Sequence, residues 1–467
     1  MGNYLSQTEH NSDLGGGGEE RKRKRIHEFD LTEYVNTRKR CKLRSTCDHI
    51  YGRLFLEGHN SDVVIRALDR EWRLHKVYLE QSPYFQSMFS GSWIESSLET
   101  VELNIIDPLI SSETLNTALS SLYRGEIDLE VDMLVPLLAT VTLLQFHGLQ
   151  LQIEALMIET MNEDTVLPYI NAASTYGSFS VVETATDWLK VNLLHSLPQN
   201  LTTLSSLPME LLIKLISAND LFVNQTEFSV YILLRLWLYL QITPKWNGDP
   251  TQAVTSSHIH FRMLYAKESK FFLNLETGSS YAPLFRALRL PYLVNHHLDL
   301  EMLLSDGIVP MEWVYPMIVS QWEKLLRVDQ GLDTGPNVIV EEEFNQYSMR
   351  CGRNLTQPNI SALWRWTGFN MGLDLIVHYE DGVISLKRNF KSDELLLSTH
   401  KSRSILCRVT ASRLNEQKQV IYRISSGIKK IELERLDESH ELLRIEQGES
   451  GLKFPLCLAF NFCVNNK

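Results

Sequence analysis

Asn60-Ser61-Asp62-Val63-Val64-Ile65, Trp72-Arg73-Leu74-His75-Lys76-Val77-Tyr78-Leu79, Ser82-Pro83-Tyr84-Phe85-Gln86-Ser87-Met88-Phe89 and Val101-Glu102-Leu103-Asn104-Ile105 together decide the fold. Val63 to Ile65 is a short β-branched run, and Trp72, Leu74 and Val77 flank a polar His-Lys pair. Phe85, Met88 and Phe89 place apolar side chains at helical spacing after Ser82-Pro83, so the order is strand, strand, helix, strand. Ser82 is suited to an N-cap and Pro83 to the first helical position, where its missing N–H costs nothing.

The chain around this stretch has 467 residues, room for about three domains by length alone. Apolar content of 44% and charge of 22% are those of globular protein with sizeable cores. The net charge of −12 argues against wholesale nucleic-acid binding, although basic residues cluster before Ser45. No run of about 18 apolar residues suggests a membrane span, and the start lacks a secretory apolar core, which predicts cytosol or nucleus. Six scattered cysteines (41, 47, 351, 407, 457 and 463) fit a reducing compartment rather than a disulfide framework. Cys41 and Cys47 beside His49 do not assemble four local metal ligands, so no metal and no cofactor is expected.

Residues 1–44 read as a disordered basic arm, with a flexible Gly15 to Gly18 run and charge in blocks. Met1-Gly2-Asn3-Tyr4-Leu5-Ser6 fits the N-myristoylation pattern, in which the Gly2 amine accepts the acyl chain; a chance match is the other reading. Arg21-Lys22-Arg23-Lys24-Arg25 and, after a 12-residue spacer, Arg38-Lys39-Arg40 have the layout of a bipartite nuclear-import signal for an acidic import receptor. The same charges also suit an anionic lipid surface, where a polybasic patch reinforces a single acyl chain. Nucleus and membrane contact are therefore both expected, and the nuclear envelope satisfies both.

Residues 45–156 form the first predicted folded unit. Ile50, Leu54 and Phe55 recur at helical spacing ahead of the first strand and give an apolar face without a sequence-local partner. Leu115, Leu119 and Leu122, then Leu134, Leu137, Leu138, Val141 and Leu144, continue as helices. Residues 157–245 read as amphipathic helices, including Tyr169 to a Gly177 cap, Val181 to Leu194 and the apolar run Val230 to Leu240. Residues 246–334 read as a helical extension and linker, with Leu284 to Leu293 helical and Gly331 to Asn337 a breaker segment. From residues 335–467 the periodicity turns to alternation: Leu373 to Tyr379, Val383 to Lys387, Ile405 to Val409, Val420 to Ile424 and Pro455 to Val464 are strand candidates of a small antiparallel β domain. Trp364-Arg365-Trp366 offers either a stacking recognition surface, as a weak substrate-binding candidate, or core aromatics, the commoner fate in small β domains.

Asp62 before the first strand and His75-Lys76 before a short helix resemble the BTB (POZ) domain, an interaction module. Tyr123 to Ile127 resembles that module's short strand-like link, and Leu221-Phe222-Val223, Glu227-Phe228 and the run with Trp237 resemble the helical BACK domain. Ser90-Gly91-Ser92-Trp93, the basic arm and the stretch from Ser348-Met349-Arg350-Cys351-Gly352-Arg353 through Trp364 to Asn370 make nearly the whole chain similar to the germ cell-less-like BTB proteins, with residues 251–280 matching least. The resemblance implies a multidomain α+β protein: an α/β BTB domain, an all-α BACK-like region and a carboxy-terminal antiparallel β domain.

Functionally, the resemblance implies a substrate-recruiting adaptor of a cullin-3 RING ubiquitin ligase, acting in germ-cell formation at the nuclear envelope. Trp93-Ile94-Glu95 matches the apolar-any-glutamate pattern by which such adaptors contact the cullin, Trp93 as anchor and Glu95 for orientation. The helix bearing Ile50, Leu54 and Phe55 would then meet a second subunit in a homodimer; closure of that face on its own core is the competing reading. No GxSxG, GxxxxGK[ST], HExxH or GxGxxG occurs, which points to a non-catalytic protein. His75 matches a structural histidine, and Cys351, without an identifiable base, reads as an ordinary thiol. A BTB-dimerised nuclear scaffold or transcriptional co-repressor is the alternative class, and direct nucleic-acid binding is disfavoured because the basic arm lacks a folded reader.

Overall fold

The computed structural model describes residues 46–90, 98–244, 246, 248–356, 361–366, 373–389, 402–434, 439–445 and 454–465, the side chain of Trp366 excepted. Helix α1 (Thr46–Ile50) continues into a π-helical turn, Tyr51–Leu56. Strands β1 (Val63–Ala67) and β2 (Arg70–Leu74) pair antiparallel, and β3 (Thr100–Glu102) adds to β1 in parallel, giving the order β2-β1-β3. The alternation in β1 buries Val63, Ile65 and Ala67 on one face, opposite Trp72 and Leu74 across the ladder.

Between β2 and β3 lie α2 (Lys76–Leu79) and α3 (Pro83–Phe89). Ser82 caps α3 as its sequence suggests: its Oγ accepts from Tyr84 N at 3.1 Å and donates to the Leu144 carbonyl at 2.5 Å, tying the cap to a later helix. Helices α4 (Ser112–Ser121), α5 (Leu134–Leu143) and α6 (His147–Glu159) follow, α4 opening on a Ser111/Thr114 capping box. Tyr123 to Ile127 forms no strand. The buried Tyr123 hydroxyl instead accepts the His75 backbone N–H at 3.0 Å, and its ring stacks on Tyr78. Tyr123 is thus drawn into the core, while Arg124, Gly125 and Glu126 after it are exposed.

The helical region continues with α7 (Val166–Tyr176), α8 (Phe179–Asn192), α9 (Leu201–Ser205), α10 (Met209–Ser217) and α11 (Glu227–Ile242). Gly177, at φ 79°, ends α7 in the left-handed conformation that favours glycine. Helix α11 is apolar around its whole circumference and accordingly buried along most of its length. It packs against α12 (Ala253–Glu268), and α13 (Ala282–Arg286), α14 (His297–Asp306) and α15 (Met311–Asp329) follow in the chain. Asp306, fully buried, joins three of these helices by accepting from Arg235 Nη1 at 2.6 Å, from the Tyr231 hydroxyl at 2.8 Å and lying 2.6 Å from His258 Nδ1. Apolar residues from Phe55 to Val314 form one continuous core, so the BTB-like unit and the helical region are not separated by a solvent layer.

The helix expected over Leu284 to Leu293 is broken. Helix α13 stops at Arg286, and Leu290–Tyr292 is a separate 3-10 turn with Pro291 at its start. Proline lacks the donor that a continuing helix needs, and the Arg289 N–H is directed to the Glu227 carboxylate at 2.9 Å.

After α16 (Glu341–Tyr347), the chain builds two antiparallel sheets that share a core. One has the order β10 (Lys429–Glu434), β8 (Ser402–Leu414), β12 (Leu456–Cys463), β4 (Met349–Leu355), with β9 (Val420–Ser425) also on β8. The other has the order β11 (His440–Arg444), β7 (Val383–Arg388), β6 (Leu375–Glu380), β5 (Ala362–Trp366). The five strand candidates of the sequence reading correspond to β6, β7, β8, β9 and β12; β4, β5, β10 and β11 went unread.

Candidate functional site

The first candidate surface is the amino-terminal helix of the BTB-like unit. Phe55 is turned into its own subunit, 7% exposed, with its ring against Tyr51 and Tyr123. Ile50 and Leu54 are half-buried against the same core, and the Arg124 guanidinium lies 3.5 Å from the Tyr51 ring centroid. Closure on its own core therefore accounts for Phe55, while Ile50 and Leu54 keep accessible surface.

His75 serves structure. Its Nε2 lies 2.9 Å from the His59 carbonyl and its Nδ1 3.2 Å from the Tyr123 hydroxyl, while Asp62 Oδ1 accepts the Lys76 N–H at 2.8 Å. Asp62 thus satisfies a donor at the start of α2 that His75 does not cap, which explains the pairing of Asp62 with His75-Lys76 in the sequence. Cys351 is fully enclosed and burial pushes its thiol pKa up, away from nucleophile chemistry. Among the described residues no cluster of His, Cys, Asp or Glu is arranged to hold a metal, and no helix is long and apolar enough to cross a membrane.

The second candidate surface is the seam where the β sandwich meets the helical region. Arg350, at the start of β4, reaches back 123 positions to the first residue of α11: its Nε donates to Glu227 Oε2 at 3.1 Å and its Nη2 to Oε1 at 2.6 Å. Its Nη1 donates to the Ile216 carbonyl at 2.7 Å, and both side chains are buried. Arg289 lies beside this pair and donates to the carbonyls of Ser348 and Asn345. Burial, with Arg350 as a like-charged neighbour, pushes the Arg289 pKa down to about 10. Gln225 and Gly352 exchange two backbone hydrogen bonds, adding a bridge to the β4 edge. Here glycine is required, since a Cβ on Gly352 would stand 2.6 Å from the Val223 carbonyl oxygen.

A further hook is the β8–β9 turn. Trp188 Nε1 and Asn192 Nδ2 donate to the carbonyls of Gln417 and Lys418 at 3.2 and 2.9 Å. Gln419 Nε2 donates at 2.7 Å to the Ile158 carbonyl at the end of α6, and Lys418 pairs with Glu163.

Two clefts open along this seam, of about 1010 and 410 Å³, and they share Asn219 and Asn345 in their walls. The sequence reading missed these residues. Its only local signals are charges set among apolar neighbours, Arg289 in Ala287-Leu288-Arg289-Leu290 and Arg350 before Cys351.

Trp364 and Arg365 lie outside the lining of both clefts. Trp364 packs edge-on to Phe460 at 6.3 Å between centroids, and Arg365 forms a bidentate pair with the buried Asp374 at 2.6 to 3.0 Å. Trp366 belongs to β5, its side chain outside the described residues. Gly2, both basic clusters of the arm (Arg21 to Arg25 and Arg38 to Arg40), Trp93 and Glu95 also lie outside them.

Comparison with known proteins bears on the whole chain. Residues 51–161 match the BTB/POZ domain model. Germ cell-less protein-like 1 of Homo sapiens is 38% identical over 431 residues, covering 92% of this chain and 82% of its own length. The chain belongs to the germ cell-less family. Protein germ cell-less of Drosophila melanogaster is 34% identical over 449 residues, covering 91% of this chain and 78% of its own length. Kelch-like protein 38 of Danio rerio is similar only locally, at 29% identity over 111 residues, covering 24% of this chain and 18% of its own length. The germ cell-less relatives therefore share the seam-bearing carboxy-terminal half with this member, and not the BTB unit alone.

Proposed function

We propose that this germ cell-less family member is a non-catalytic, substrate-recruiting adaptor of a cullin-3 RING ubiquitin ligase. The reading rests above all on one observation: the BTB unit runs through a single core into a helical region that carries the β sandwich on a fixed mount. The BTB unit dimerises through Ile50 and Leu54, supported from beneath by Phe55, and contacts the cullin through Trp93 and Glu95. The helical region and the β sandwich hold the protein substrate. Ligation chemistry belongs to the RING partner and its charged conjugating enzyme; the adaptor contributes proximity by raising the effective concentration of substrate lysines.

The arm directs the chain to the nucleus through an import receptor and, once acylated at Gly2, to the inner face of the nuclear envelope. Germ-cell formation is the setting that family membership suggests.

The test is capture of the purified cullin-3 amino-terminal region by wild type and by Glu95→Lys, each checked for dimer mass by light scattering. Capture by wild type and its loss in a still-dimeric variant is the expected result. A folded wild-type dimer that captures no cullin-3 overturns the ligase reading in favour of a nuclear scaffold or co-repressor.

A further inference from the structure

We propose that the seam between the helical region and the β sandwich is a docking groove for an acidic, extended peptide segment of a protein partner. The proposal deepens the adaptor reading, on which it rests for the idea that this half of the chain holds a substrate.

Charge is the first argument. In a chain of net charge −12, the two joined clefts are lined by Arg286, Arg289, Lys324, Arg408 and Arg423, against the carboxylates of Glu342 and Asp220. Asp220 is already engaged by Lys190 at 3.0 Å. Among the described residues, Arg289 and Arg408 give their guanidinium hydrogen bonds to neutral oxygens, namely backbone carbonyls, the Ser348 hydroxyl and the amides of Asn219, Asn345 and Asn461, although the charge of Glu227 reaches Arg289 and those of Glu341 and Asp220 reach Arg408. Lys324 has no ion-pair partner among the described residues. Partly desolvated cations whose hydrogen bonds end on neutral oxygens gain from an incoming anion that replaces lost hydration.

An unmet hydrogen bond is the second. Asn465 lines the larger cleft, is 8% exposed and donates from Nδ2 to Asp333, yet its buried Oδ1 meets no donor among the described residues. An amide oxygen accepts an N–H, and an extended peptide carries one at nearly every residue. The groove thus offers cations for carboxylates and an acceptor for the main chain. A nucleic-acid duplex needs a broad basic face, whereas these cations line a recess.

The experiment pans a phage-displayed library of random peptides, about twelve residues long, on the full chain. Selected peptides are then titrated by fluorescence anisotropy against wild type, Lys324→Glu/Arg423→Glu and the charge-matched control Arg262→Glu/Lys267→Glu, whose residues lie on α12. All three keep the basic arm, which itself attracts acidic peptides, so only the difference between variants reports on the groove. Lys324 is half-buried and Arg423 exposed, and a thermal melt checks that the variant folds.

Expected are peptides enriched in Asp and Glu whose binding falls at least tenfold in the groove variant and less than twofold in the control. No acidic enrichment, or equal loss in both variants, overturns the groove. Cullin-3 capture is measured on the same samples. Acidic peptides held in the groove without cullin-3 capture overturn the ligase reading alone, and cullin-3 capture without groove-dependent peptides overturns the groove alone.

Discussion

Removing the Glu227 carboxylate should part the two halves of the molecule. It accepts three hydrogen bonds, two from Arg350 and one from the Arg289 backbone, with no exposure to solvent. Glu227→Ala leaves the Arg350 guanidinium buried without its counter-ion, and breaking one side of a buried pair costs about 3–5 kcal/mol. Arg350→Ala should cost a similar amount by stranding the carboxylate. The double variant strands neither charge, so it should cost clearly less than the sum, with a coupling of about 2–3 kcal/mol. Urea unfolding is the assay, followed by tryptophan fluorescence and by circular dichroism. In Glu227→Ala the two transitions should separate as the β sandwich releases first. A loss below about 1 kcal/mol for Glu227→Ala, or strict additivity in the double variant, would refute the claim that this pair carries the mount.

Three further outcomes follow from the geometry. Gly352→Ala should cost about 2–3 kcal/mol by denaturant titration, because its Cβ meets backbone oxygens that have no rotamer to escape into. Leu54→Glu should yield a folded monomer by light scattering, whereas Phe55→Ala should lose about 3–5 kcal/mol of stability by opening the subunit's own core. Burial, with the Lys418 ammonium nearby, lowers the pKa of His195, and burial lowers that of His260. The unfolded chain then takes up protons first, so this stabilisation is complete above about pH 6.5 and is lost as pH falls through the lower folded values. His195→Gln should flatten the decline in melting temperature between about pH 7 and pH 5, and an unchanged slope would remove His195 as its source.

Signals confined to a few neighbouring residues were legible: the Ser82-Pro83 helix start, the β-branched run Val63 to Ile65 and the Gly177 stop act through bonds within one turn or one ladder. The β10 sequence Lys-Lys-Ile-Glu-Leu-Glu was harder, because only Ile431 and Leu433 face the core and the rest reads as a solvated charge run. Trp364-Arg365 was read as one motif, yet strand alternation sends its members to different tasks, Trp364 to the core and Arg365 to Asp374. The seam was not legible. Glu227 looks like an ordinary acidic residue in a first helical turn, and nothing near it in sequence announces an arginine 123 positions later.

The hook at Gln417 to Gln419 binds the end of α6 and the face of α8 at once, so the joint between the BTB unit and the β sandwich has no free hinge. A joint without play makes the adaptor a ruler. Under the ligase function proposed above, the selection of lysines would then be set by the slack in the substrate's own tether, and lengthening that tether would widen the arc of modified sites while leaving affinity unchanged.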